Sequence, residues 1–510
     1  MKDRVSLTDF LMYHKETHPI SFHMPGHKGR STLYGIYGFG DFIKNVIGND
    51  ITEIPGADAL QQPRERIKDM MDGYAGLYGV KHTELLVNGS SAGLMAAILG
   101  TVPRGGKLLI GRNSHRSVYG ALRLGGISPV YIMPEIDDET GLQLGLDPDK
   151  IEKALIDDPE IKAVLVTSPN YYGVLSDIER IANIAHLHGR ILIVDQAHGA
   201  HLKFFDYLRN EDGLPHRAAE NCGADIVVDS THKTLLSFTG SAILNICTER
   251  PDVSRISELL RMLQTTSPSY LLIGSLDVNQ QILRMDGYNL IKNWDADIKY
   301  FYQEAARIEG LGLIDRIDLD ETKVSLTMTA LGLSGPELAE ELEKRNIWVE
   351  LTHGSYVMLM TGIGNERGDY EDILAALRDL SAQYRGRLSE AGQAHPEAQN
   401  QTPETAAKKP APIQAASDSA LTERLEQRRI PDTYEEIPLY SAEGRVLYES
   451  IIPYPPGSPI ACPGEVLSKS VILYIRDQLV AQHVVLGVDE EGRVKVEPDC
   501  VLFKEVSGDL

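Results

Sequence analysis

Between residues 85 and 247, short unbroken apolar runs alternate with stretches of helical spacing. The runs are LLV at 85–87, KLLI at 107–110, VYI at 130–132, AVLV at 163–166, ILIV at 191–194, IVV at 226–228 and AILNI at 242–246. Continuous rather than alternating apolar runs indicate strands covered on both faces. Between them, segments such as 177–188 set Ile178, Ile181, Ile184, Ala185 and Leu187 at helical spacing. The pattern predicts an α/β domain with a mostly parallel sheet of roughly seven strands.

A second pattern runs from Lys323 to about Leu380. VSLTM, a helix entered at Ser334 with Pro336 in its first turn, then IWVEL, YVMLM and a last helix predict a small α+β unit. The stretch from about 252 to 312 reads as helical and links the two. Beyond Leu388 the chain becomes polar and rich in Ala, Pro and Gln, which predicts a flexible linker, and apolar content returns after about residue 420. The expected organisation is an N-terminal arm (1–20), a large domain (21–290), a small α+β domain (291–387), a linker (388–419) and a C-terminal α+β domain (420–510).

Composition narrows the functional classes. The 510 residues carry 50 Lys and Arg against 73 Asp and Glu, a formal charge of −23, which excludes a nucleic-acid binder acting through a general positive field. No run approaches the roughly 20 apolar residues of a membrane span, and Asp3, Asp9 and Glu16 interrupt the N-terminus, so no secretory signal is expected. Cys222, Cys247, Cys462 and Cys500 are scattered and read as reduced thiols of a cytoplasmic protein. The pairs His186/His188 and His198/His201 have spacings that metal sites also use, but no clustered Cys or carboxylate set accompanies them, and no metal is expected.

Candidate chemistry lies at the strand ends. DSTHKT places Lys233 just beyond the buried run IVV, and Asp195 ends ILIVD. In an open α/β sheet, ligands bind outside the carboxyl ends of the strands, so the two residues converge on one crevice. An Asp for a pyridinium nitrogen and a Lys for a Schiff base are the two groups that pyridoxal phosphate chemistry requires. NGSSAG follows LLV and opens a helix with Gly89, Ser90, Ser91 and Ala92, where backbone N–H groups and hydroxyls suit a phosphate. His115, after KLLI, is positioned to cover a flat ring. Taken singly, each feature has a plainer reading: a surface lysine, an ordinary helix cap, a loop histidine. Their common order along the chain is the specific signal.

With these features the chain resembles the Orn/Lys/Arg decarboxylase family of fold type I pyridoxal phosphate enzymes, in its shorter form. The matching blocks span almost the full length: SFHMPGHKGR (21–30), DITEIPGADAL (50–60), NGSSAG (88–93), RNSHRS (112–117), SPNYYG (168–173), DQAHGAH (195–201), DSTHKT (229–234), TTSPSYLLIGSLD (265–277) and IPYPPGSPIACPGE (452–465). The resemblance implies that Lys233 holds the cofactor as a Schiff base, Asp195 pairs with the ring nitrogen, and His115 stacks on the ring with His198 beside it. It also implies phosphate contacts from Ser90, Ser91, Ser230 and His232, with Ala92 in the same cofactor-binding turn. The family forms dimers or higher oligomers, and Thr266 and Ser267 correspond to a segment that reaches a neighbouring cofactor.

The implied reaction is decarboxylation of lysine, arginine or ornithine. The cofactor ring acts as the electron sink, and Lys233 or a nearby histidine returns the proton. Three departures from the family pattern keep another pyridoxal phosphate reaction (transamination, elimination or cyclisation) in view: Gln61 for a common histidine, Gln196 for the usual acid of D-E-A-H-G, and Gly240 after Thr239. A non-catalytic cofactor-binding protein is the third reading, opposed by the joint retention of Lys233, Asp195 and His115. Glu53, Asp58 and Glu465 are the candidate acids for a cationic substrate. Arg64 and Arg66 read as solvated ion-pair partners.

Overall fold

The computed structural model describes residues 6–393, 423, 425–454, 459–480 and 484–498. The chain forms two compact units, one of residues 1–112 and 120–407, the other of 113–119 and 408–510.

In the first unit, β1 (Ile20–Phe22) is followed by β2 (His82–Leu86), β3 (Lys107–Gly111), β4 (Ser128–Ile132), β5 (Ile161–Thr167), β6 (Ile191–Asp195), β7 (Ile226–Asp229) and β8 (Ala242–Ile246). The last seven form one sheet in the order β2-β8-β7-β6-β5-β3-β4. All its pairings are parallel except those of β8, which runs antiparallel to both β2 and β7. The predicted seven-stranded, mostly parallel sheet is thus present, and each apolar run of the sequence falls on one of its strands, LLV running one residue past the end of β2. Ile193, Val194, Val227 and Val228 are fully buried, as continuous apolar strands between helical layers must be.

The helix Ile178–Leu187 shows how the layers are held. Asp177 caps it by accepting the N–H of Arg180, and Ile178, Ile181, Ala182, Ile184 and Ala185 are buried. Leu187, expected on the same face, is instead 81% exposed at the last turn.

The small α+β pattern follows with β9 (Gly312–Leu313), β10 (Lys323–Thr327), β11 (Ile347–Val349), β12 (Leu351–His353) and β13 (Tyr356–Met360). The helix Gly335–Glu343 begins where predicted, closed by a reciprocal Ser334–Glu337 capping box with Pro336 in the first turn. Sequence expectation and structure part in two places. IWVEL is not one strand: β11 pairs in parallel with β1, β12 joins the sheet β12-β13-β10-β9, and Glu350 sits at the break. The expected boundary at 290/291 falls inside the helix Tyr270–Ala305, which bends at Asp286 (φ −148°) and buries Trp294, Ile298 and Phe301 in the core. Both expected domains therefore share one compact unit.

The final helix of this unit, Arg367–Gln393, continues through 388–393, where the linker was expected to begin. The rest of the expected linker up to 419 lies outside the described residues. In the second unit, β14 (Glu435–Pro438) pairs with β17 (Arg493–Val496) and β15 (Ile452–Tyr454) with β16 (Val484–Leu486), around a core that includes Leu447, Ile451, Val471, Ile475 and Val494. Among the described residues no helix is long and apolar enough to cross a membrane. Cys222, Cys247 and Cys462 are free thiols; Cys500 is outside the described residues.

Candidate active site

The register of the central strands brings the two key residues together. Asp195 stands level with Thr167 of β5 on one side and Val228 of β7 on the other, and the turn after β7 forms the short helix Thr231–Thr234 that carries Lys233. Asp195 is 3% exposed, and its Oδ1 accepts the N–H of Ala197 at 3.2 Å. Burial pushes its carboxyl up, and the charge of Lys233 with the Ala197 N–H pulls it back. Burial likewise lowers Lys233 to about 8, against the raising charges of Asp195 and Glu350 and with a smaller lowering effect from Lys323.

The surroundings of Lys233 are built by a segment whose role the sequence does not reveal. In HMPGHK, the Gly26 N–H donates to the His232 carbonyl (2.8 Å), and the Gly26 carbonyl accepts from Gly364 (3.0 Å). A Cβ on Gly26 would lie 2.3 Å from the carbonyl carbon of Thr234, so only glycine lets this segment lie against the Lys233 turn. Lys28 donates to the carbonyls of His23 (2.7 Å) and Met360 (2.9 Å). Its ammonium is lowered to about 7, first by burial, with Glu350 opposing and Lys323 assisting.

Behind the turn, His201 is fully buried, with Nδ1 3.2 Å from Thr234 Oγ1 and Nε2 3.2 Å from Asp320 Oδ1. Lys323 bonds Asp320 (3.2 Å) and the carbonyl of His198 (3.1 Å). His198 is buried, with its ring edge-on to Tyr171 at 4.9 Å. Nothing in the sequence alone assigns this role to Glu350, Lys28, His201, Asp320 or Lys323; the one signal for Lys28 is its place in the family block SFHMPGHKGR.

The donors present fit a phosphorylated pyridine. The Ser230 hydroxyl is buried without a hydrogen-bond partner, as is Thr167 Oγ1 beside Asp195, and buried hydroxyls are normally paired. The helix Gly89–Thr101 begins without a side-chain cap on its first-turn N–H groups, which are those of Ser90, Ser91 and Ala92. His232 Nδ1 is 2.6 Å from the Ser241 carbonyl, and burial lowers the ring to about 4, so it is neutral at physiological pH.

The other expected contacts divide. His115 lies in segment 113–119, which belongs to the second unit, and its Nδ1 is 2.9 Å from Ser117 Oγ. Glu465, also in the second unit, is buried and accepts the Cys462 N–H at 2.7 Å. Thr266 and Ser267 are exposed, Ser267 at φ +51°. Asp58 has a structural role: its carboxylate accepts the N–H groups of Ala59, Arg64, Glu65 and Ile67 and anchors the loop before the helix Arg66–Tyr78. Burial raises its carboxyl, but these four donors outweigh it and hold it below the usual range. Glu53 is exposed, and its charge acts on Tyr270.

The three departures also find places. Gln61 donates to the Thr265 carbonyl at the surface (3.2 Å). Gly240 adopts φ +96°, a conformation glycine takes without strain, and its carbonyl accepts the N–H of Gly89 (2.7 Å) at the start of the candidate phosphate turn. Gln196 is fully buried below Asp195; its Nε2 donates to Glu220 and Asp229 (both 3.0 Å) and its Oε1 accepts from Ala219 (2.8 Å). Burial and the neighbouring Glu220 push the Asp229 carboxyl well up, with the Gln196 and Asn245 amides opposing.

A Gln196→Glu change would remove two donors and crowd a third carboxyl into this cluster. The expected cost is about 2–4 kcal/mol, read as a lower urea midpoint. Because the folded-state carboxyl of Asp229 is raised above its unfolded value, its contribution to stability is greatest at low pH and is lost as pH rises, so the deficit should grow with pH.

A doubly covered, mostly parallel sheet with an aspartate at one strand end and a lysine on the turn after the neighbouring strand is an arrangement of the fold type I class of pyridoxal phosphate enzymes. The lysine decarboxylase of Francisella novicida has this fold, matching with a TM-score of 0.71 at 18% identity over 96% of this chain and 80% of that one. The family model "Orn/Lys/Arg decarboxylase, major domain" matches residues 5–323, and the corresponding C-terminal domain model matches 406–489. The chain belongs to the Orn/Lys/Arg decarboxylase family. It is 32% identical to the arginine decarboxylase of Bacillus anthracis and 32% identical to that of Bacillus subtilis, each over 94% of both chains.

Proposed function

We propose that the protein decarboxylates a basic amino acid with pyridoxal 5'-phosphate as cofactor, yielding the amine and CO2. The observation that carries this reading is the placing of Asp195 and Lys233 at the ends of adjacent parallel strands. Lys233 would hold the cofactor covalently. Ser90, Ser91 and Ala92, with Ser230, would bind its phosphate, and His198 would pack beside the ring. When bound, the cofactor supplies an electron sink for the charge left by departing CO2.

The chain's own residues do the rest. Asp195 would pair with the ring nitrogen and keep it positively charged. Its burial, which disfavours an isolated carboxylate, makes a facing cation more valuable to it. Lys233, with its nitrogen lowered to about 8, takes up and returns a proton near neutrality. The neutral His232 and the close-packed HMPGHK segment limit water beside it.

Arginine is the first substrate to test, since relatives at 32% identity are named arginine decarboxylases. Transamination, elimination or cyclisation loses its motivation, because Gln61, Gln196 and Gly240 each have a structural role: a surface bond to the Thr265 carbonyl, the buried bonds to Glu220, Asp229 and Ala219, and the bond that holds Gly89. A cytoplasmic homodimer or higher oligomer accompanies this reading, with Thr266 and Ser267 directed to the neighbour's cofactor. The helix Leu7–Glu16 supports association: it buries no residue of its own and exposes Leu7, Phe10 and Leu11. Incubating the reconstituted protein with arginine, lysine, ornithine and their hydroxylated analogues should release CO2 and the matching amine without ammonia, as measured by mass spectrometry. Ammonia or an oxo acid as the main product would identify a different reaction.

A further inference from the structure

A buried cationic side chain needs a carboxylate opposite it. Asp58 is occupied by backbone N–H groups and Glu53 lies at the surface, so neither fills that need in the first unit. Glu350 has the required environment. It stands where the chain leaves β11 and enters β12, two strands of different sheets, and its side chain is 1% exposed. Oε2 accepts the Met24 N–H (3.0 Å) and Oε1 the Tyr171 hydroxyl (3.3 Å).

Among the described residues, the single Lys, Arg or His nitrogen within 4.0 Å of this carboxylate is His23 Nε2 at 3.8 Å, on a half-exposed ring. Lys28 acts on Glu350 only from a distance, since its ammonium is directed to the His23 and Met360 carbonyls. A buried carboxylate whose close ionisable neighbour is a single half-exposed histidine is poorly compensated, and two accepted hydrogen bonds leave about half of its lone-pair sites open.

Glu350 is also linked to the reacting centre through its hydrogen-bond partners. Met24 is two residues from Gly26, whose N–H holds the carbonyl of His232, the neighbour of Lys233. Tyr171 lies edge-on to His198 in the loop after Asp195. The charge of Glu350 acts on Lys233 itself. We propose that Glu350 is the specificity-determining carboxylate of this site, receiving the ammonium or guanidinium group of the substrate side chain. The assignment rests on the reading of the protein as a decarboxylase of basic amino acids.

The test uses the holoenzyme and whichever of arginine, ornithine and lysine it turns over best. Each is paired with a neutral analogue of equal length: citrulline, norleucine and 2-aminoheptanoate respectively. Glu350→Gln keeps an oxygen for the Met24 N–H and removes the charge. It should weaken calorimetric binding of the basic amino acid about 30-fold and raise its KM similarly, with binding of the neutral analogue changed less than about twofold. Glu350→Asp keeps the charge but withdraws it by one methylene, so relative KM values should shift in favour of the longer basic side chain. This second variant decides the matter even if the first fails to fold. An unchanged preference for basic over neutral ligand in the Gln variant, or unchanged relative KM values in the Asp variant, would overturn the assignment while leaving the decarboxylase reading intact. A wild-type enzyme inactive on all three basic amino acids would overturn the reading, and this assignment with it.

Discussion

Replacing Lys233 by alanine is expected to abolish covalent retention of pyridoxal phosphate and to lower turnover by about 10^4-fold or more. In the wild type, borohydride reduction should fix the cofactor to the peptide containing Lys233, and in the variant no peptide should carry it. Proton occupancy as well as position suits Lys233 to this attachment. An amine must be neutral to attack a carbonyl, and with a pKa of about 8 roughly a tenth of the Lys233 amines are neutral at pH 7. At the ordinary value near 10.5 the fraction would be about 0.03%. Capture of cofactor by the apo-protein should therefore accelerate as pH rises towards about 8 and level off above it. A rate that keeps rising to pH 10, or a label on another lysine, would remove Lys233 from this role.

How far this site can be read from sequence depends on the kind of interaction involved. Lys233 and Asp195 follow apolar runs that are buried on both faces, so their strand ends are marked by composition alone. Chain order then brings them to one edge of the sheet, because parallel strands align their carboxyl ends. Ser90, Ser91 and Ser230 are legible for the same reason.

Glu350 is not legible in this way. IWVEL reads as one strand, and nothing local reveals that the chain changes sheets at the acid: β11 stops because its partner is β1, more than three hundred residues earlier. The expected domain boundary fails for a related reason. A helix as long as Tyr270–Ala305 has no compositional seam at residue 290, since its buried face packs against elements from both expected domains. Asp58 misleads in the opposite direction. An acid in a Pro/Gly loop looks available for a ligand, yet four backbone donors from the following turn already occupy it. Gln196 looks like a lost acid beside the key aspartate, but successive residues at the end of a strand point to opposite faces, and its partners lie below the sheet edge.

Asp195→Ala should fold, still bind cofactor through Lys233, and turn over about 10^3-fold more slowly. That loss corresponds to about 4 kcal/mol of transition-state stabilisation. The carboxylate sits 3% exposed at the end of β6, where effective dielectric is low and a single charge opposite the ring nitrogen carries most weight. Asp195→Asn, which keeps the shape and one acceptor but not the charge, should be nearly as slow, separating electrostatics from packing. A second consequence follows for Lys233. Asp195 raises the lysine's pKa against the effect of burial, so its removal should move the midpoint for cofactor capture by the apo-protein below about 8. The two effects have one cause and must appear together. Slow turnover with an unmoved midpoint would mean that Asp195 acts on the cofactor without facing Lys233, and normal turnover with a lowered midpoint would mean that its partner is the lysine alone.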